Sequence, residues 1–388
     1  IISERSIIRN LKIAPTIILL SLLITHYSSL AFASTTWTET TDTNFNDGIY
    51  YLTKTSGTGT GAQLALDWRG TGADGSVSIT ATKNINTDVI SSGRSYADGI
   101  NYAVTAIYTS SITCSATVNG IEAGDEVILI NMQGDSSNYG NVGNYEFLRV
   151  GSVSGTQIKF TSEIQKIYGA TSSNDDLTGQ KVVVQRLPNW GDVTISGSGV
   201  SLTCSAWDGT KGGLLVFRAT GTVTVESGAS IDVSKKGFRG GTENTVPDST
   251  GLQGESYSGE GTKTRSANKG GGGGGGAGNP GNHEGSGGGG GYGTTGQDGE
   301  TGNPDFGLGG DGGITYGNSN LGKIYLGSGG GAGCKDAESE NGTGGAGGEG
   351  GGIIYVAGNL INVYGNLEID GTIYGAGGSL VSGSGTQN

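Results

Sequence analysis

Positive charge, histidine, proline and helical periodicity are all scarce in this chain. Lys and Arg number 22 against 35 Asp and Glu, a formal net charge of −13. Phosphate backbones and anionic membranes are gripped by clustered Lys and Arg, so the composition argues against nucleic acid or a charged membrane surface as partner. The two histidines are His26 and His283, too few for a credible Ser–His–Asp or zinc constellation. No GxSxG elbow and no EF-hand loop is present. Of the five prolines only Pro280 and Pro304 fall between Gly270 and Gly350, where glycine is densest. With no G-X-Y register, collagen is excluded. No segment after the N-terminal leader repeats apolar residues at i, i+3, i+4, i+7. Yet 33% of the residues are hydrophobic, too many for a wholly disordered chain.

What is present begins with an export signal. Arg5, Arg9 and Lys12 precede the apolar run Ile13–Ile24, and Ala31 and Ala33 stand at the −3 and −1 positions of a small-residue cleavage site. This predicts a secretory signal peptide over 1–33, cut before Ser34, and a secreted or cell-surface location. Beyond it lie Cys114, Cys204 and Cys334. The first two share the contexts "SITCSATV" and "SLTCSAWD". They suit either a Cys114–Cys204 disulfide in an oxidising compartment or two buried thiols acting as small hydrophobes.

Strand signals fill the rest: short Val, Ile, Thr and Tyr runs bounded by Gly, Asn, Asp and Ser. Residues 34–120 read as a Thr/Ser-rich β region. Residues 121–188 read as a small β module, with "YEFLRVGSVSGTQIKF" as a hairpin and Pro188 as its stop. From 189 to 388 the strands shorten to three to five residues, which predicts the rungs of a parallel β-solenoid. Two stretches, Gly212–Gly241 and Gly351–Gly378, repeat one pattern. Their expected inward residues are Leu214, Val216, Val223, Val225, Ile231 and Val233, then Ile353, Tyr355, Ile361, Val363, Leu367, Ile369 and Ile373. The fold class is therefore all-β: small β modules, then a solenoid carrying a glycine-rich insertion over about 242–350.

That insertion includes seven consecutive glycines, Gly270–Gly276, among 37 from Gly270 to Gly350. A Gly/Ser linker would have this composition. Apolar islands at Tyr292, Phe306, Ile314 and Lys323 ("GKIYLG") argue for packing instead. Polyglycine-II helices, with three residues per turn and no internal hydrogen bonds, can bond one another only where no side chain intervenes.

The order "GDEVILINMQG … NYEFLRVGSVSG … VVVQRLPNW … LTCSAWDGTKGGLLVFRATGTVTVESGASIDVSKKGFRGG … GGIIYVAG" resembles a glycine-rich β-solenoid module of secreted bacterial surface and adhesin-like proteins. The resemblance covers about Ile121–Gly378, and it implies surface attachment without implying any catalytic residue. Likeness to glycine-rich phage tail-tip adhesins and receptor ectodomains is compositional only.

Candidate chemistry is thin. Gly317–Ile324 fits GxxxxGK, but Ile324 stands where Ser or Thr must hold Mg²⁺. "GLGGDGG" (Gly307–Gly313) is a single copy of a β-roll-like calcium pattern; adventitious calcium is the most it suggests, and no cofactor is expected. Asp192, Asp208, Asp232 and Asp370 are the acids a β-helix lyase or hydrolase could use, and equally turn residues. Trp190 and Trp207 either stack on sugars or cap the solenoid core. The sequence thus points to a non-catalytic surface protein, adhesin-like or a filament or coat subunit, whose partner is itself, a surface glycan or another surface protein. The alternative is a carbohydrate-binding or carbohydrate-active β-helix protein.

Overall fold

The computed structural model describes residues 69–246, 249–277, 285–300, 308–318, 320–335 and 344–368, and the backbone of two earlier strands. The expected leader (1–33), His283, Phe306, Ile369, Asp370 and Ile373 lie outside the described residues. The chain divides into two compact units, 1–66 and 67–388. In the first, β1 (Thr36–Glu39) and β2 (Leu52–Ser56) pair antiparallel, with Trp37 opposite Lys54 and Glu39 opposite Leu52.

In the second unit, regular structure among the described residues is entirely β. The strands β3 (Val77–Ile79) and β4 (Lys83–Asn84) come first. The chain then builds an antiparallel barrel from β5 (Asn101–Ile107), β6 (Ser111–Cys114), β7 (Glu126–Gln133), β8 (Tyr145–Ser154), β9 (Gln157–Phe160) and β10 (Lys181–Arg186). The barrel closes in the order β10-β5-β6-β9-β8-β7. It returns through β11 (Asn189–Trp190), β12 (Val193–Ile195), β13 (Ser201–Thr203), β14 (Leu214–Val225) and β15 (Ser230–Asp232). After the glycine-rich stretch come β16 (Ile353–Val363) and β17 (Asn366–Glu368). The barrel therefore draws on both sides of residue 121, because Val104 of β5 pairs with Val182 of β10. A local pattern cannot reveal such a long-range closure.

Outside the barrel the pairing is parallel. Val77, Val193, Val223 and Ile361 stand in register across β3, β12, β14 and β16. Leu202, Ile231 and Leu367 do so across β13, β15 and β17. Inside the stack these columns are buried: Val193, Val223 and Leu202 are inaccessible. On the last strands they are not. Ile361 is 44%, Val363 38% and Leu367 52% exposed, so these three inward-set residues are not buried. The column direction is as expected, but nothing among the described residues lies over them. Ile353 is buried and Tyr355 half-buried.

The segment "LLVF" of β14 is buried on both faces, as a continuous apolar run in a parallel strand should be. Leu215, Phe217, Val223 and Val225 enter the core between the parallel sheets. Leu214 and Val216 point the other way, to a second core shared with Ile128, Ile130 and Val183 on the outer wall of the barrel. The sequence reading put Leu214 and Val216 on one face with Val223; the strict alternation of the strand separates them. A third core fills the barrel, with Val127, Leu129, Val182 and Val184 pointing in. Each fully buried Val, Leu, Ile or Phe contributes about 1.5–3 kcal/mol.

The glycine-rich stretch forms an array of extended segments bonded main chain to main chain. Gly273, Gly274 and Gly275 donate in turn to Gly329, Asp311 and Thr264, and Gly276 then donates to Ala332. Successive residues serve different neighbours, and every third residue returns to the same one. The segments at 327–334 and 344–351 repeat this: Gly327, Gly330 and Gly333 donate to Gly351, Gly348 and Gly345. A Cβ on Gly274 would lie 1.8 Å from the Arg265 carbonyl oxygen, and one on Gly331 1.9 Å from that of Gly274. No other residue type permits this approach. Asn244 bonds Gly344, Ala277 bonds Leu308, and Cys334 bonds Gly285, so these segment ends share one end of the array.

Candidate functional site

At its other end the array meets the barrel. Glu255 sits at the junction, only 4% exposed. Its carboxylate accepts from Arg239 Nε at 2.8 Å, Arg239 Nη2 at 3.1 Å, the Arg239 amide at 3.1 Å, Gln133 Nε2 at 2.9 Å and Trp207 Nε1 at 3.1 Å. Burial alone would raise its pKa. The bonds from Arg239, Gln133 and Trp207 outweigh it and hold the carboxyl below its ordinary range. Gln133 closes β7, Trp207 precedes β14, and Arg239 and Glu255 belong to the array. One buried charge therefore ties three parts of the fold together.

Beside it five tyrosines gather. Tyr257 lies 5.7 Å from Tyr139, 5.0 Å from Tyr316 and 5.3 Å from Tyr325, centroid to centroid. Tyr316 stands 5.0 Å from Tyr292 and 5.7 Å from Tyr325, edge to face with both. Tyr139 rides on the barrel loop after β7; the others come from the array. The rings rest on bare backbone: a Cβ on Gly271 would meet the Tyr316 ring at 2.7 Å, and one on Gly143 the Tyr325 ring at 2.8 Å. Tyr316 donates to the Leu326 carbonyl at 2.5 Å and accepts from Ser328 Oγ at 3.0 Å. Burial raises the pKa of Tyr257 and Tyr292, and pushes Tyr325 up to about 12. Lys269 and Lys323 reach across to the carbonyls of Ser136 and Gly140 on the same barrel loop. Burial, then Lys166, lowers the Lys323 pKa.

The residues singled out in the sequence fall elsewhere. Trp190 is fully buried, donates to Ser91 Oγ at 2.7 Å and packs on Phe217 at 4.9 Å. Trp207 is 3% exposed and meets Phe238 edge-on. Neither offers a face to a sugar. Cys114 lies inside the barrel and Cys204 inside the parallel sheets. Cys114 and Cys204 are free, buried thiols, and Cys334 is buried as well, so the disulfide is not formed: two separate cores hold its two halves. Burial pushes the Cys114 and Cys204 thiols up to about 12.

Asp192, Asp208 and Asp232 each accept a local or next-strand amide, from Thr222, Thr210 and Ser234 respectively. Among the described residues no group of three or more His, Cys, Asp or Glu is placed to hold a metal. The GxxxxGK stretch is an anchoring loop, not a phosphate loop. Ile324 donates to the Gly143 carbonyl, and Tyr145 Oη donates to that of Leu321. The described part of "GLGGDGG" is an array segment, where Asp311 donates to the Arg265 carbonyl. Glu255 and Tyr257 escaped the sequence reading. Their one signal is "GESYSGE", a charge and an aromatic inside glycine-rich chain. Among the described residues no helix is long and apolar enough to cross a membrane.

No family model and no curated protein matches the chain. Three solved structures resemble it weakly. The tailspike gp61 of Pseudomonas phage phi297 has 21% identity and a TM-score of 0.18, covering 34% of this chain and 21% of its own. The tailspike gp49 of Pseudomonas phage LKA1 has 18% and 0.17, covering 41% and 28%. The gp54 tailspike of Acinetobacter baumannii bacteriophage AP22, solved with capsular saccharide, has 17% and 0.19, covering 34% and 22%. The chain thus matches less than a third of each tailspike.

Proposed function

We propose that this is a secreted bacterial surface protein of structural and adhesive kind, in which a stiff glycine block is carried on a short β-solenoid. In this reading β3–β4, β12–β13, β14–β15 and β16–β17 are successive rungs. The glycine segments are polyglycine-II helices, and their described ends at Asn244, Ala277, Gly285, Leu308, Cys334 and Gly344 gather at the end away from the barrel. The observation that carries it is the three-residue spacing of the main-chain bonds at Gly327, Gly330 and Gly333, and again at Gly273 and Gly276, the period of that helix. A flexible linker has no such pattern. The exposed Leu360, Ile361 and Leu367 on β16 and β17, whose outer edges pair with no other strand among the described residues, support the filament or coat half of the proposal, since such edges invite strand addition.

Hydrogen exchange on the purified chain from Ser34 onward is the test. Amides of Gly273–Gly276 and Gly327–Gly333 should exchange slowly; rates equal to those of an unfolded peptide would overturn the reading. Negative-stain images should show polymers or ordered sheets, and single particles at every concentration would remove the assembly half. The carbohydrate-active alternative draws no support from Asp192, Asp208 or Asp232, each engaged in local backbone bonds. The carbohydrate-binding alternative draws support from the tyrosines.

A further inference from the structure

The tyrosine cluster has more polar groups than the fold uses. Tyr316 spends its hydroxyl on Leu326 and Ser328. The hydroxyls of Tyr139, Tyr257, Tyr292 and Tyr325 have no partner among the described residues. They face one another closely enough to interact: Tyr139 acts on the ionisation of Tyr257, and Tyr257 and Tyr292 act on that of Tyr325. Buried phenols normally find a partner. Here four half-buried or exposed ones share a patch with no hydroxyl partner among the described residues. Tyr292, 46% exposed, forms the outer side. Lys269 and Lys323 each spend one N–H on the barrel loop, which leaves two donors per ammonium. The floor cannot adapt, because Gly271 and Gly143 hold the rings from below at contacts no side chain would allow.

Flat aromatic carbon, phenol hydroxyls that both donate and accept, and two ammonium groups suit one ligand class. A pyranose ring offers an apolar C–H face to an aromatic ring and equatorial hydroxyls to its rim. A peptide would need a groove or a free strand edge here, and the described strands nearest the patch, β7 and β8, are both paired within the closed barrel. We propose that the Tyr139–Tyr257–Tyr292–Tyr325 surface, flanked by Lys269 and Lys323, binds a polysaccharide chain. It replaces Trp190 and Trp207, which are buried, as the sugar-stacking element. The proposal is independent of the polyglycine reading: slow glycine exchange without glycan binding sinks only this one.

Affinity electrophoresis of the purified chain through gels carrying dextran, xylan or alginate tests it, with tyrosine fluorescence titration as a second readout. At least one polysaccharide should retard the protein. Tyr292→Ala and Tyr139→Ala should weaken that retardation tenfold or more while leaving the circular dichroism spectrum and melting temperature of the wild type. Tyr292→Phe should retain part of it. A preference for alginate that Lys269→Met removes assigns the ammonium group a direct contact, and equal retardation by dextran assigns the binding to the tyrosines; either supports the proposal. Mobility unaffected by all three polysaccharides, or retardation unchanged in both alanine variants, overturns it.

Discussion

Arg239 and Glu255, sixteen residues apart, form an ion pair at 2.8 Å in which the carboxylate is buried and the guanidinium almost half exposed. The buried partner takes five hydrogen bonds from three donor residues, so the two ends of this pair are not equivalent. Replacing Arg239 leaves Gln133 and Trp207 still facing the charge. Replacing Glu255 by Ala takes the acceptor from Trp207 Nε1 and Arg239 Nε at once, while Gln133 keeps the Ser256 carbonyl and Arg239 keeps Glu260, and should cost about 1–3 kcal/mol, read from guanidinium unfolding. Glu255→Gln, which keeps the shape, should cost less.

The same carboxylate sets an acid limit. Its folded pKa lies below the ordinary value of 4.5. The stability it contributes is therefore complete above pH 4.5 and disappears as pH falls through the lower folded value. Melting temperature should drop below pH 4.5 in the wild type, and the drop should be shallower in Glu255→Gln.

Glycine substitutions separate packing from composition. Gly274→Ala and Gly331→Ala would drive a Cβ to within 1.8 and 1.9 Å of a carbonyl oxygen and should destabilise the array by more than about 3 kcal/mol, at the severe end for single substitutions. Gly293→Ala meets nothing within 4 Å and should lie within about 0.5 kcal/mol of wild type, as surface substitutions do. Equal melting temperatures for the three variants would contradict the array.

Two residues in one column give a paired test. Ile231 is buried and Leu367, its register partner, is 52% exposed. Ile231→Ala should cost about 2–5 kcal/mol, and Leu367→Ala should fall below about 1 kcal/mol if its surface stays in water. A large loss at Leu367 at high protein concentration, absent on dilution, would show that another molecule covers it.

The thiols are predicted to be silent. Cys114 and Cys204 are buried and free, Cys334 is buried with its Sγ donating to the Lys335 carbonyl, and the thiolate is the reactive form. A thiol reagent should report none of them in the native protein and all three after denaturation. Reducing agent should leave the melting temperature unchanged.

Much of this was visible in the residues. The run "LLVF" was legible as an apolar strand, though not as one buried on both faces, and "TVTV" as a strand with Val223 and Val225 inward. The islands at Tyr292, Ile314 and Lys323 marked a glycine stretch with something to pack. Three things were hidden, each for a physical reason. Barrel closure joins Val104 to Val182, and a pairing across that much chain leaves no local trace. The phase of Leu214 against Val223 depended on an extended stretch between them that looked like a gap. Trp190 and Trp207 drew attention by rarity, whereas the tyrosines that reach the surface are ordinary in sequence and unusual only in company.

Inside the glycine block, peptide groups hold peptide groups and few side chains take part. Few charges there respond to acid or brine, and little oily surface answers to detergent. The block should keep its shape in estuary, gut or drying film, and give way chiefly to solutes such as guanidinium that attack the amide itself. Its mooring, Glu255 against Arg239, has no such immunity. Harsh surroundings should loosen the attachment well before they dissolve what is attached.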